Sequence, residues 1–444
     1  MRRKLPRRRS AAIPGILLAW LAAAWLLAGC DLQPLSTLFE RPQPVVPAAE
    51  LPVVATPTPQ HTPTPEPPQP ADPMALTLWV PPEMDPRGGS QSAILFQSRI
   101  DSFVARNPGI EVRVRVKAQS GPGSLMEGLS AATVAATRVV PSLVALPRSD
   151  LETAALKGLV YPLDDLTNLM EDLDWYPYAR QLAVIANSTF GLPFGGESLL
   201  LVYRPERIGI EPNDWYALLG LGRPIAFPAD DPSGVVTLAL YQSAGGIVQD
   251  AQRRPVLQTN SLTEVLTLYS DGARQGAFPP WVGQLQSDDQ AWEAFTAQRA
   301  NMLLTWSTRY LTHLPVDSKA VPLPSLGEQP FSLATGWLWA VSDPDPARRA
   351  VAVRLAEYLV ESEYLADWTA AAGKLPPRPA ALENWLNQSL RALVEPLALS
   401  MQVRPTNDIM AALGPVLHDA AQDVIRHQVE PAVAAEAAAY QLNR

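Results

Sequence analysis

From residue 76 onward the apolar positions alternate between two periods. Leu76-Thr77-Leu78-Trp79-Val80 is an apolar run of strand length, after which Phe96, Ile100, Phe103 and Val104 recur at the spacing of one helix face. Asn107-Pro108-Gly109 stops that helix. Ile110, Val112, Val114 and Val116 then alternate with Glu111, Arg113, Arg115 and Lys117, the pattern of a strand with one wet face. A second helical stretch runs over 125–139, and Leu143-Val144-Ala145-Leu146 reads as a short buried strand. Ser149 and Glu152 have the spacing of a capping box that opens a third helix. Strand and helix in threefold alternation predict a parallel, doubly wound α/β lobe.

The same reading continues to the C-terminus. Gly191-Leu192-Pro193-Phe194 leads into a strand over 198–203, and Asn213-Asp214-Trp215 turns into a short helix. The loop with Asp230-Asp231 ends in Ser233, a candidate N-cap for the next helix, which Gly245-Gly246 closes. Ser261 and Glu264 form a second capping-box pattern. Trp292 and Phe295 mark a helix, 302–306 a strand, 321–324 an extended crossing, 335–341 another strand and 346–360 an amphipathic helix. After Leu375-Pro376-Pro377-Arg378-Pro379 the pattern is helical to the end.

The chain before residue 74 has a different character. Arg2, Arg3, Lys4, Arg7, Arg8 and Arg9 precede an apolar run from Ile16 to Leu27, and Leu27-Ala28-Gly29-Cys30 follows. Positive start, apolar centre and small residues are the layout of a secretory signal. Leu27 to Cys30 resembles the lipobox of bacterial lipoproteins, which implies cleavage before Cys30 and lipid on its thiol. The other reading, an uncleaved anchor, meets a run short of the about 20 residues a span needs. From Asp31 to Pro73 proline dominates, with Thr56-Pro57-Thr58-Pro59 and Thr62-Pro63-Thr64-Pro65 at its centre. Proline fixes φ and removes a donor, so this stretch is expected to be an extended tether.

Composition narrows the function. Removing 1–29, which holds six basic and no acidic residues, takes the formal charge from −9 to about −15. Nucleic acid is therefore excluded as a partner, because its phosphates demand a basic surface. Cys30 is the only cysteine, so no internal disulfide forms. The four histidines, His61, His313, His418 and His427, lack metal-ligand spacing, and no nucleophile elbow or phosphate-cradling loop occurs. No cofactor and no metal are expected. A pair of glycosidase carboxylates is the one catalytic arrangement that spacing leaves open.

The order of several weak motifs resembles the extracellular (family 1) solute-binding proteins of ABC importers, the group that includes maltose-binding protein. They are the first strand ending in Trp79, Tyr161-Pro162-Leu163-Asp164, Gly191 to Phe194 with Leu201-Val202-Tyr203, Gly245 to Asp250, Phe295 to Trp306, and Gly373 to Arg378. Pro141-Ser142 and Gln298-Arg299-Ala300-Asn301-Met302 depart from the family's usual Pro-Asp and Gly-Lys-Ala-Met. The resemblance implies a two-lobed periplasmic-binding-protein-like fold with a ligand cleft between lobes and a helical C-terminal segment. Its boundaries would be a signal over 1–29, lipidated cysteine and tether over 30–73, one lobe from 74–192 plus 325–360, and the other from 193–324 plus 361–444. It implies a monomeric lipid-anchored protein on the extracytoplasmic face of the cell membrane, binding a small solute, a sugar or oligosaccharide, and delivering it to permease subunits. A surface glycan-active enzyme and a transport-inactive sensor or scaffold are the alternatives.

Twelve tryptophans are many for this length. The resemblance places Trp79, Trp306 and Trp337 around the cleft, where an aromatic face stacks on a sugar ring; the other reading is core filling. Trp339 shares a strand with Trp337 at spacing two, so one is expected in the core and the other in the cleft. Glu197, at the crossing between lobes, is read as a hydroxyl acceptor or a hinge residue. Arg309 is read as lining the cleft or pairing on the surface, and Arg378 as touching ligand or bracing its loop. Asp230 and Asp231 look like paired carboxylates, and of that reading and a solvated loop with helix-capping acids the second is preferred.

Overall fold

The computed structural model describes residues 73–135 and 137–443. The expected signal segment, Cys30 and the tether lie outside these residues. From Gln69 onward the chain forms a compact unit by itself. It opens with β1 (Met74–Val80), α1 (Gln91–Arg106), β2 (Ile110–Val116), α2 (Leu125–Ala135), β3 (Leu143–Pro147) and α3 (Arg148–Leu156). β1 lies between β2 and β3 with both pairings parallel. Parallel neighbours need a crossover, and the intervening helices supply it. α1 turns Phe96, Ile100 and Phe103 inward, and Ser90 caps it by accepting from the Ala93 N–H.

Next come α4 (Pro177–Ala183), the hairpin of β4 (Val184–Ile185) and β5 (Ser188–Thr189), and β6 (Leu192–Tyr203). β6 is one continuous strand and begins before the expected 198–203, because Gly195 and Gly196 stay extended within it. The chain then forms α5 (Pro205–Ile208), α6 (Trp215–Gly220), β7 (Ile225–Ala226), α7 (Val235–Ser243), α8 (Thr259–Gln275), α9 (Asp288–Thr296), β8 (Met302–Trp306), α10 (Ser307–His313) and β9 (Lys319–Pro322). It returns through β10 (Ser332–Val341) and ends with α11 (Pro346–Tyr358), α12 (Ser362–Ala372), α13 (Pro379–Glu383), α14 (Gln388–Ser400), β11 (Met401–Val403), α15 (Asn407–Ile425) and α16 (Pro431–Leu442). The strand order is β2-β1-β3-β10-β6-β8-β7, with β11 beside β10 and β9 beside β6.

Two hydrophobic cores share this sheet. The first gathers β1, β3 and β10 with α1, α3, α4, α11 and α12; the second gathers α6, α7, α8, α15 and α16. Alternation along β6 feeds both: Leu199, Leu201 and Tyr203 enter the second core, whereas Leu200 and Val202 enter the first. β10 pairs antiparallel with β3 through Trp337 to Val341 and with β6 through Ala334 to Trp339. These two strands carry the chain between the cores.

The structure corrects four local expectations. α3 starts at Arg148 with no side-chain cap, and Glu152 bonds Arg148 and the Asn407 N–H instead of closing a box on Ser149. Ser261 lies inside α8 and donates to the Ala244 carbonyl. Gly234 takes the N-cap position of α7, and Ser233 donates to Asp231. In each case a nearby acceptor or donor outcompetes the local cap. The C-terminal stretch is not one helical block in one lobe: Leu365, Trp368, Leu382, Val394 and Met401 bury in the first core, and only α15 and α16 enter the second. β11 also interrupts the helices there, because it finds the free edge of β10.

Since the unit from Gln69 is compact by itself, a chain starting near Asp72 should melt within about a degree of the chain that starts at Cys30, as terminal segments outside a core contribute little. Scanning calorimetry checks this, and a drop of several degrees would show that the proline-rich stretch packs on a lobe.

Candidate functional site

In open α/β sheets ligands bind outside the carboxyl ends of the strands. β7 and β8 run parallel, and at their carboxyl ends lies a cavity of about 320 Å³. Trp306, the last residue of β8, is half-buried there. Leu199, Pro228, Val235 and Leu304 add apolar wall, and Asp231, Ser233, Gln286, Ser287 and Asp288 add a polar rim. Trp306 pairs with Leu199 of β6, so the crossing strand forms part of the wall.

The rim is held by its own hydrogen bonds. Asp288, in the first turn of α9, accepts from the Thr305 hydroxyl and from Arg309 Nε at 3.0 Å. Arg309 also pairs with Asp289 and stands 5.9 Å from the Trp292 ring. It therefore reaches the cavity through Asp288 rather than lining it. The Asp231 carboxylate accepts from the Ser233 N–H and hydroxyl. Asp230 beside it is no free capping acid. Its carboxylate lies 3.1 Å from His418 Nε2 and accepts from Gln286 Nε2. Burial pushes the Asp230 carboxyl up, but the hydrogen bonds from His418 and Gln286 and the nearby Arg426 charge outweigh it and hold the group below the usual carboxylate range. His418 sits on α15, which comes this close because Gly234 faces Gly414. A Cβ on Gly234, which has φ +59°, would meet the Gly414 carbonyl oxygen at 2.8 Å.

A second cluster sits on the crossing strands. Glu197 and Leu199 share a face of β6, since they are two residues apart. The Glu197 carboxylate pairs with the Lys374 ammonium, from the loop after α12. Lys374 Nζ also lies 5.8 Å from the Trp337 ring centroid. Glu197 and Trp337 are thus brought together by a buried lysine that the sequence pattern does not single out, although it lies inside the Gly373 to Arg378 motif. Trp337 is itself buried. Trp339 is core, stacked on Phe96 and tilted against Phe194.

Two expected cleft residues lie elsewhere. Trp79 is buried in the first core beneath α2, where Gly128 approaches its ring and Lys117 Nζ stands 4.6 Å from its centroid. Arg378 is a brace: Nε donates to the Asp174 carboxylate, Nη2 to Asp172 and Nη1 to the Val360 carbonyl, with Trp175 under its guanidinium. All three nitrogens are consumed. Conversely, Gln286, Ser287 and Asp288 are legible in the sequence only as a helix start. Ser287 does cap α9 by accepting from Gln290 N–H, but its place beside Trp306 comes from the fold.

Known proteins place this architecture. The family model described as bacterial extracellular solute-binding protein matches residues 98–390. Maltose-bound MalE3 of T. maritima superposes with a TM-score of 0.65 at 17% identity, covering 83% of this chain and 99% of that one. The cyclic alpha-maltosyl-1,6-maltose binding protein of Arthrobacter globiformis gives 0.68 at 16% identity, with 84% and 98% covered. A solute-binding protein of Thermotoga lettingae bound with alpha-D-tagatose gives 0.64 at 18%, with 83% and 99% covered. No curated protein matches by sequence. At such identities the likeness is one of fold, and that fold is the two-lobed one of binding proteins. The family match runs from α1 into α14, well over half of the chain, and by it the chain belongs to the bacterial extracellular solute-binding proteins.

Proposed function

We propose that the protein captures a sugar or oligosaccharide at the cavity around Trp306 and delivers it to the permease of an ABC importer. The observation that carries this reading is the half-buried Trp306 ring with Asp231, Ser233, Gln286, Ser287 and Asp288 about it. An aromatic face accepts the C–H face of a pyranose, and a ring of carboxylates, hydroxyls and an amide accepts and donates to its hydroxyls. Of the three solved structures named above, one is bound with maltose, one is a cyclic alpha-maltosyl-1,6-maltose binding protein and one is bound with alpha-D-tagatose, which supports the same class of ligand. Each oxygen of the Asp231 and Asp288 carboxylates already accepts one hydrogen bond within the protein and keeps a lone pair for a sugar hydroxyl, an arrangement that favours binding over catalysis. On this reading Cys30 carries a lipid, residues 31–73 are the tether, and the protein works on the outer face of the membrane as a monomer.

Thermal-shift screening against maltodextrins and monosaccharides tests the proposal. A ligand at a hundred times its Kd should stabilise the fold by about 2.7 kcal/mol through mass action, and the sugar should be recovered unmodified. Recovery of hydrolysed sugar would replace the binding reading with a glycan-active one; no shift with any sugar would remove the ligand class.

A further inference from the structure

A second cavity shares no residue with the one at Trp306. It is a groove of about 660 Å³ between elements of both cores. From the first core come α3 and the β4–β5 hairpin. From the second come Gln249 and Arg253, in the loop between α7 and α8, and the start of α15. Its wall is apolar along Leu156, Val184 and Ile185, and Leu156 and Val184 are exposed. Exposed apolar side chains in a concave groove mark a place where an apolar body fits.

The charges around that wall are unequally free. Glu152 is occupied by Arg148 Nη1 and the Asn407 N–H. The Thr406 hydroxyl and the backbone N–H groups of Ile409 and Asp408 hold the Asp408 carboxyl below the usual carboxylate range. The acids are therefore answered within the protein. Lys157, just after α3, and Arg253 are exposed, and neither has an ion pair among the described residues. Arg253 is kept at the groove by its turn: Asp250 accepts from the N–H groups of Gln252 and Arg254 and pairs with Arg254. The side-chain amides of Asn187 and Gln249 line the groove and are likewise without partners among the described residues. What the groove offers is an apolar wall, two free cations from opposite sides and two amide donors.

We propose that this groove is a second ligand site, taking a small organic anion with an apolar body and a carboxylate or phosphate head, held between Lys157 on one lobe and Arg253 on the other. The head meets the two cations and the amides; the body lies on Leu156, Val184 and Ile185. Such a ligand touches both lobes at once and shares no contact residue with the solute at Trp306.

The test is isothermal titration of the full chain with 4-phenylbutyrate, with 4-phenylbutanol as the same body without charge and with inorganic phosphate as the head alone. The carboxylate should saturate at submillimolar concentration. The alcohol and phosphate should bind at least about tenfold more weakly, since a charge-assisted hydrogen bond in a partly dry groove is worth about that factor. Lys157→Glu combined with Arg253→Glu should weaken the carboxylate about tenfold or more and leave sugar binding and the melting point unchanged, both side chains being exposed. Absence of saturation at millimolar carboxylate would overturn the proposal. So would equal binding by the double variant, and so would loss of carboxylate binding in Trp306→Ala, which would move it to the other cavity.

Discussion

Trp306→Ala should weaken sugar binding about thirtyfold while leaving the fold intact. Truncating an aromatic anchor at the centre of a site costs about 2 kcal/mol or more, and 1.4 kcal/mol is a factor of ten in affinity. The ring is half-buried at the end of β8, so its removal opens the cavity without emptying either core. The polar rim would remain in place but with no surface to orient the sugar against it. Titration calorimetry gives the affinity, and wild-type tryptophan fluorescence should change when ligand is added. A well-folded variant with unchanged affinity would put the sugar elsewhere, with Glu197 and Trp337 the next positions to change. An unfolded variant would show that Trp306 serves the second core.

The second large effect is expected on stability. Lys374→Met should destabilise the protein by about 3 kcal/mol, because breaking a buried ion pair strands the remaining charge. Lys374 and Glu197 are both largely buried, at 8% and 17% side-chain exposure, and Gly195 lets the lysine stem lie against β6. Adding Glu197→Gln to Lys374→Met should restore most of the stability, since the stranded charge is then gone. Urea unfolding of the two variants measures both changes. Full stability in the single variant would mean that water reaches the pair and that it behaves as a surface pair.

Much of the first lobe is legible in the sequence because its packing is local. Phe96, Ile100 and Phe103 are buried as their spacing predicts, and Arg113 and Arg115 are exposed on β2 as their alternation predicts. The tryptophans show where local pattern stops informing. Trp79 and Trp306 both sit at or near the end of a strand. α2 runs back over Trp79 with Gly128 against its ring, whereas Trp306 opens toward the loop after β7. That difference is set by chain segments remote from either residue. The partner of Glu197 is illegible for the same reason, since Lys374 arrives from a loop after α12. The capping boxes mislead in the opposite way. Glu152 and Ser261 have the right local spacing, but tertiary partners claim them. The split of 361–444 between cores is hidden because α12 to α16 are all apolar-faced helices, and amphipathicity does not say which core a helix faces.

The pairing of β10 between β3 and β6 has a consequence for the order in which the molecule can be made. Val341 lies opposite Leu143, and Trp339 opposite Leu192, so the middle strand of the sheet is the last long one to be synthesised. Until it emerges, β3 and β6 each present a bare hydrogen-bonding edge, and such edges invite pairing with other chains. Closing them requires pairings of long sequence separation, the kind that slows folding most. The early lobe of a growing chain is thus held incomplete until the other lobe's strands have been made, and a product truncated before Ser332 would carry two open edges and no route to cover them.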